Sequence, residues 1–238
     1  MENELCQPDP RGGKDRAGAM SIEEILARYT GGYTPYYHPP EDSLLWDWKE
    51  LRALIPLTPQ TVARAIRLLR TIRPPYAIRQ NEAVETVLAC LSDERVKPQT
   101  WVRGPVLTLY RILNQHGFLR TFEAMENGTI AGAVLAIDLP GILIIESMFS
   151  LAPNSSKQCV CQAILDYHER GYAFIDVQNQ HPPTHPLARL GEKVFPMAEY
   201  LHLLRQTVGR HAGDCGMEKH EQLRLCLASF TQAIQPRP

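Results

Sequence analysis

The chain has 238 residues, a mass of 26.9 kDa and 44% hydrophobic content, enough to bury a full core and to form one large or two small domains. A formal net charge of -1 excludes a protein that coats nucleic acid through a global field, so any RNA contact must come from a local patch. The six cysteines (Cys6, Cys90, Cys159, Cys161, Cys215, Cys226) form no CxxC pair, which points to reduced thiols, and Cys159 and Cys161 face nearly opposite sides of a predicted helix, so no metal is expected.

Residues 1–20 combine Pro8, Pro10, Gly12 and Gly13 with mixed charges and read as a disordered tail. They contain no apolar run fit for a signal sequence or a membrane span, and Glu2, Glu4 and Asp9 disfavour a transit peptide, which leaves the cytoplasm as the default location. A short helix is predicted from Ile22 to Tyr29, capped by Ser21 and stopped by Gly31-Gly32. The stretch Tyr33 to Trp48 has too many prolines for regular structure and reads as a loop whose rings pack on a neighbouring surface.

Thr58 to Arg73 is the clearest helix, with Val62, Ala65, Ile66, Leu69 and Ile72 as its buried stripe. Arg64, Arg67, Arg70 and Arg73 emerge on the other side with no acidic residue between them. Solvated helices interleave signs, so this face suits an external anion such as a phosphate backbone, with plain solubility as the alternative. After Pro74-Pro75 come a strand from Tyr76 to Gln80, a helix from Glu82 to Leu91 and a polar loop ending at Pro98. A further helix follows Trp101, from Pro105 to His116, and stops at Gly117. Glu126-Asn127-Gly128 turns one strand, Phe118 to Ala124, into the next, Ile130 to Asp138; Leu139-Pro140-Gly141 leads into a third, Ile142 to Phe149. A helix from Ser155 to Arg170 and a strand from Tyr172 to Gln178 complete the series.

Candidate site residues cluster at the ends of the last two strands. By alternation Ile144, Glu146 and Met148 share one face, and Asp176 and Gln178 project together from the second strand. Polar groups at the mouth of an apolar slot are the usual anatomy of a small-group site, the alternative being that Glu146 and Asp176 merely cap buried strands. His181 and His185 are flanked by Pro182, Pro183 and Pro186, which forbid helical i,i+4 geometry, so they read as a loop with a structural histidine. A last amphipathic helix is predicted from Glu218 to Ile234.

Several of these segments resemble, in order, the leucyl/phenylalanyl-tRNA–protein transferases. They are Gly32-Tyr33-Thr34-Pro35-Tyr36-Tyr37, Leu45-Trp46, Arg52-Ala53-Leu54, Thr100-Trp101-Val102, Glu146 to Ser150, Asn154 to Lys157, Asp176-Val177-Gln178, and His185 with Leu190-Gly191. The resemblance runs from about Ser21 to Leu204. It implies an α/β fold with an N-acetyltransferase-like mixed sheet flanked by helices and a smaller N-terminal α+β part, and the element order read above fits that fold. The implied division is a small domain with the basic helix over 21–98, a catalytic domain over 99–205, and a helical extension over 206–238.

The implied reaction moves Leu, Phe or Met from the acceptor end of aminoacyl-tRNA to a protein beginning with Arg or Lys, marking it for degradation. A monomer without a cofactor, metal or membrane contact is expected. Gln178, Asp176 and Glu146 take the catalytic positions, with Gln178 binding the incoming amine and Asp176 holding Gln178. An aromatic of the turn that carries Tyr36 falls beside the terminal adenosine, and Tyr36 and Trp101 are both substrate-binding positions. Ile144, Met148 and Ile175, with Leu143 and Ile145, surround the transferred side chain, and Arg64, Arg67, Arg70 and Arg73 face the tRNA. Ile145 stands where the family has glycine, Leu143 where it has phenylalanine, Val177 where it has cysteine and Tyr36 where it has tryptophan; a narrower pocket that disfavours Phe follows. Two rivals remain: a catalytically inactive tRNA- or protein-binding relative, and an acyl-CoA N-acetyltransferase. The second is disfavoured because its pyrophosphate-binding turn needs glycines, and Leu151-Ala152-Pro153-Asn154-Ser155 has none.

Overall fold

A computed structural model describes residues 20–73 and 75–211. The first helix, α1 (Ile22–Thr30), opens with a capping box in which Ser21 accepts from the Glu24 N–H and Glu24 accepts from the Ser21 N–H. The proline-rich stretch that follows is a two-stranded antiparallel ribbon rather than the expected loop. Its strands are β1 (Thr34–His38) and β2 (Ser43–Asp47), joined by a 3-10 turn at Pro39–Glu41 and a left-handed Asp42. Pro35 is tolerated because a two-stranded ribbon leaves half its backbone donors without a strand partner anyway.

A seven-stranded mixed sheet forms the centre, built from β3 (Leu51–Pro56), β4 (Ala77–Gln80), β5 (Leu119–Glu126), β6 (Thr129–Leu139), β7 (Ile142–Ser150), β8 (Phe174–Gln178) and β9 (Lys193–Pro196) in the order β4-β5-β6-β7-β8-β3-β9. Both turn residues of the β5–β6 hairpin, Asn127 and Gly128, are left-handed, as a two-residue hairpin loop demands. β7 and β8 run parallel, and the chain crosses between them through α5 (Ser155–Glu169). β3 and β4 come from the segment before residue 98 and are strands of this same sheet.

Helices cover both faces of the sheet. On one side α1, α3 (Val84–Ser92), α4 (Pro105–Gln115) and α7 (Met197–His211) enclose Leu88, Tyr110, Ile144 and Tyr200. On the other, α2 (Pro59–Leu69) and α5 enclose Ala65, Val134, Leu143, Ile145 and Ile175. α2 ends four residues short of the predicted Arg73, and Ile66 is exposed rather than buried, because the stripe in contact with α5 is carried by Val62, Ala65, Leu68 and Leu69. Arg64, Arg67, Arg70 and Arg73 are all exposed. The strand β9, the short helix α6 (Pro186–Arg189) and α7 have no counterpart among the predicted elements. The predicted tail over 1–20, apart from Met20, and the predicted helix from Glu218 to Ile234 lie outside the described residues. No helix among the described residues is long and apolar enough to cross a membrane.

Candidate functional site

β7 and β8 are hydrogen-bonded from Ile142 to Ile144 on one side and from Phe174 to Asp176 on the other, and then part. Two local irregularities accompany the split. On β7, Ile145 faces Ala136 and Ser147 faces Leu135, so Glu146 is an extra residue with no partner opposite it. On β8, Gln178 adopts a left-handed conformation (φ 64), and its pairing with β3 shifts by one residue there. The gap between the strand ends, roofed by the β1–β2 ribbon and the loop carrying Lys97 and Trp101, is a cavity of about 390 Å³.

Tyr36, Trp101, Ile145, Glu146, Met148 and Gln178 all line this cavity. Ile144, Leu143 and Ile175 do not. The bulge at Glu146 breaks the alternation, so Met148 joins Ile145 on the α5 side while Ile144 points into the opposite core; Leu143 and Ile175 are fully buried under α5. The apolar wall is completed instead by Val177 and Leu187. A bulge leaves no composition signal, which is why strict alternation gives the wrong neighbours. Lys49, Lys97 and Asp47 also face the cavity with nothing in their sequence surroundings to mark them, and so does His181, expected to be a structural loop histidine.

Gln178 is held across the split: its side-chain N–H donates to the Ile145 carbonyl at 2.9 Å. A carbonyl only accepts, so the amide nitrogen must face it, and Oε1 is left as the free end of the side chain. Asp176, by contrast, is fully buried and outside the cavity wall. It accepts from Arg52 Nε at 2.9 Å, from the Tyr200 hydroxyl at 2.8 Å and from the Gln178 backbone N–H at 2.7 Å. Burial works against the Arg52 charge, and the Asp176 carboxylate outweighs it, holding the guanidinium above its ordinary pKa. Asp176 therefore anchors Gln178 through the backbone and stabilises the left-handed residue from behind.

Glu146 is only 7% exposed and accepts from the Tyr110 hydroxyl at 2.9 Å, with the buried Tyr29 hydroxyl also interacting with the carboxyl. Burial pushes its carboxyl up to about 7, opposed by the Tyr110 hydrogen bond and the Arg52 charge. Trp101 packs edge-on against Tyr110, 6.4 Å between centroids, so Trp101 and the Glu146 carboxyl are joined through one ring. Lys97 donates to the Ser147 hydroxyl beside the bulge, and burial lowers its pKa.

The raised carboxyl has a stability consequence. The folded state binds the Glu146 proton more tightly than the unfolded chain, whose carboxyl titrates near 4.5, so the contribution is complete below pH 4.5 and is lost as pH rises to about 7. Glu146→Gln keeps an acceptor for Tyr110 and removes that loss, and is expected to stabilise by about 3 kcal/mol at pH 8 but by little at pH 4.5. Urea unfolding at both pH values checks this; an equal change at the two would contradict the assignment.

At the start of α5, where an acyl-CoA enzyme presents free amides, the donors are already used. The Leu151 and Ala152 N–H groups both bond the Ala131 carbonyl, and the Ser156 N–H bonds Ser150. The Ser155 hydroxyl also bonds Ala131 and fills the space over Gly132. These amides are therefore not available to a pyrophosphate.

Three antiparallel strands, a helical crossover and a parallel strand that splays at its end define an N-acetyltransferase-like mixed α/β protein, here with a cleft that has room for a small apolar group between polar walls. Residues 56–205 match the family described as leucyl/phenylalanyl-tRNA protein transferase, and the chain belongs to that family. The leucyl/phenylalanyl-tRNA–protein transferase of Synechococcus sp. (strain JA-3-3Ab) is 33% identical over 195 residues, covering 79% of this chain and 95% of its own length. That of Syntrophotalea carbinolica is 30% identical over 210 residues, covering 87% and 88%. Among solved structures, an aminoglycoside N-acetyltransferase in complex with CoA aligns at 18% identity with a TM-score of 0.33, over 48% of this chain and 86% of that one.

Proposed function

We propose that this protein transfers Leu, Met or Phe from the 3′ end of aminoacyl-tRNA to the α-amine of proteins that begin with Arg or Lys, tagging them for degradation. It acts as a cytoplasmic monomer without a cofactor. The observation that carries this reading is the pairing of Glu146 and Gln178 on opposite rims of one cavity whose floor is apolar. An N-terminal amine has a pKa near ~8, so the nucleophile needs placement more than strong activation. The Oε1 of Gln178 accepts an N–H of that amine and aims the lone pair at the ester carbonyl. Glu146, titrating near neutrality, relays the proton that the departing ribose oxygen takes up. Ile145, Met148, Val177 and Leu187 receive the side chain, while Lys49 and Lys97 give the mouth positive charge suited to an RNA end.

The basic helix lies beside the turn after α6, the short helix whose Leu187 lines the cavity. Gly191, left-handed at φ +104, leaves the space in which the Arg64 guanidinium lies, so α2 abuts the turn that follows α6. Arg79 pairs with Glu82 and is a weaker candidate for the patch. Replacing Arg64, Arg67, Arg70 and Arg73 by Gln is expected to weaken tRNA binding and to reduce the salt slope of log K by about 0.7–0.9 for each phosphate that is no longer neutralised. Filter-binding titrations across salt concentrations measure this; an unchanged slope would remove α2 from the interface.

The activity itself is tested by incubating the protein with labelled leucyl-, methionyl- and phenylalanyl-tRNA and an Arg-starting peptide. Labelled peptide, with Phe transferred least because Ile145 narrows the pocket, is the expected result. Tight tRNA binding with no transfer of any of the three would favour the inactive binding relative.

A further inference from the structure

The loop after β8 places a histidine in the cavity wall that has no part in the transfer chemistry assigned to Gln178 and Glu146. His181 lines the cavity with its side chain 20% exposed, whereas Glu192 behind it is 4% exposed. Both oxygens of Glu192 are committed to this one residue: Oε2 meets His181 Nδ1 at 2.6 Å, and Oε1 accepts its backbone N–H at 2.9 Å. The ring is stacked on His185, 4.3 Å between centroids and 17° between planes. His185 in turn accepts from the Leu187 N–H through Nδ1, which leaves that ring neutral with its proton on Nε2. A carboxylate on Nδ1 fixes the tautomer of His181, so its unprotonated nitrogen is Nε2, which has no partner among the described residues. A histidine oriented by a buried carboxylate, with its other nitrogen free at the edge of a substrate cavity, is the arrangement of a proton acceptor.

We propose that the His181–Glu192 pair deprotonates the N-terminal ammonium of the acceptor protein, an inference that rests on the transferase reading of the cleft. His181 is more exposed than Glu146, which lies against Tyr110, so the histidine meets the incoming chain first. One ammonium proton passes to His181 Nε2. The freed lone pair forms the N–C bond to the ester carbonyl as the C–O bond to the ribose oxygen breaks. The proton then left in excess on nitrogen ends on that oxygen, giving an amide and a free hydroxyl, and His181 returns its proton to solvent. Glu192 faces the ring, neutral His185 is stacked on it, and Lys49 and Lys97 line the same cavity.

The test is kcat/KM for leucyl transfer to an Arg-starting peptide between pH 6 and 9, for the wild type, His181→Asn and Glu192→Gln. With a base in place, wild-type activity holds up as pH falls below the amine pKa of ~8. Without one, rate follows the free amine and falls about tenfold per pH unit below ~8. His181→Asn should therefore be about tenfold slower than wild type at pH 7 and within about threefold at pH 9. Glu192→Gln keeps the ring but removes the carboxylate that orients it, and should fall between the wild type and His181→Asn at pH 7. Profiles of unchanged shape in both variants would overturn the proposal while leaving the transferase reading intact. A wild type inert at every pH would instead overturn the reading on which it rests.

Discussion

Asp176→Ala is expected to destabilise the protein by about 3–5 kcal/mol, because it strands a buried Arg52 charge rather than because it touches substrate. Both partners are at most 1% exposed, and the carboxylate also satisfies the Tyr200 hydroxyl and the Gln178 N–H. Removing it leaves three donors unpaired in the core. For a chain of this size the loss corresponds to a fall in Tm of about 10 °C. Combining it with Arg52→Met removes the uncompensated charge, so the double variant should be more stable than Asp176→Ala alone. Denaturant unfolding of the two singles and the double measures the coupling. If Asp176→Ala unfolded like the wild type and still lost transfer, the aspartate would belong to the chemistry and not to the support of the strand end.

The same difference between support and chemistry separates what is legible in the sequence from what is not. Long periodic helices and the Asn127-Gly128 hairpin are legible because propensity, turn chemistry and tertiary packing agree there. The order of three strands, a helix and a fourth strand is legible for the same reason. The ribbon from Thr34 to Asp47 is not, since a two-stranded edge tolerates Pro35 where a central strand would not. Ile66 fits the helical period of a core residue, yet α2 meets its neighbour over a narrow stripe, and the rim position stays wet. In the site, residue types are readable and directions are not. Glu146 and Gln178 stand out as polar groups at the ends of apolar runs. The bulge that turns Met148 away from Ile144, and the left-handed step at Gln178, come from register between strands distant in sequence. Lys97, Val177 and His181 reach the cavity only through that tertiary arrangement.

Gln178→Ala carries the largest expected effect on activity. Its side chain makes one internal contact, to the Ile145 carbonyl, and the Asp176 bond to its backbone survives the substitution, so folding should change by no more than about 1–2 kcal/mol. The left-handed backbone is retained at a non-glycine residue in both proteins. The substitution takes away the acceptor that orients the amine, and misplacing a nucleophile by a bond length costs about a hundredfold. Binding of tRNA rests on other residues and should not move. The single-turnover rate of leucyl transfer by Gln178→Ala, on protein shown to be folded and saturated with leucyl-tRNA, tests the cleft between β7 and β8 most directly. A rate about a hundredfold below wild type is predicted, and a rate within twofold would place the reaction somewhere other than this cleft.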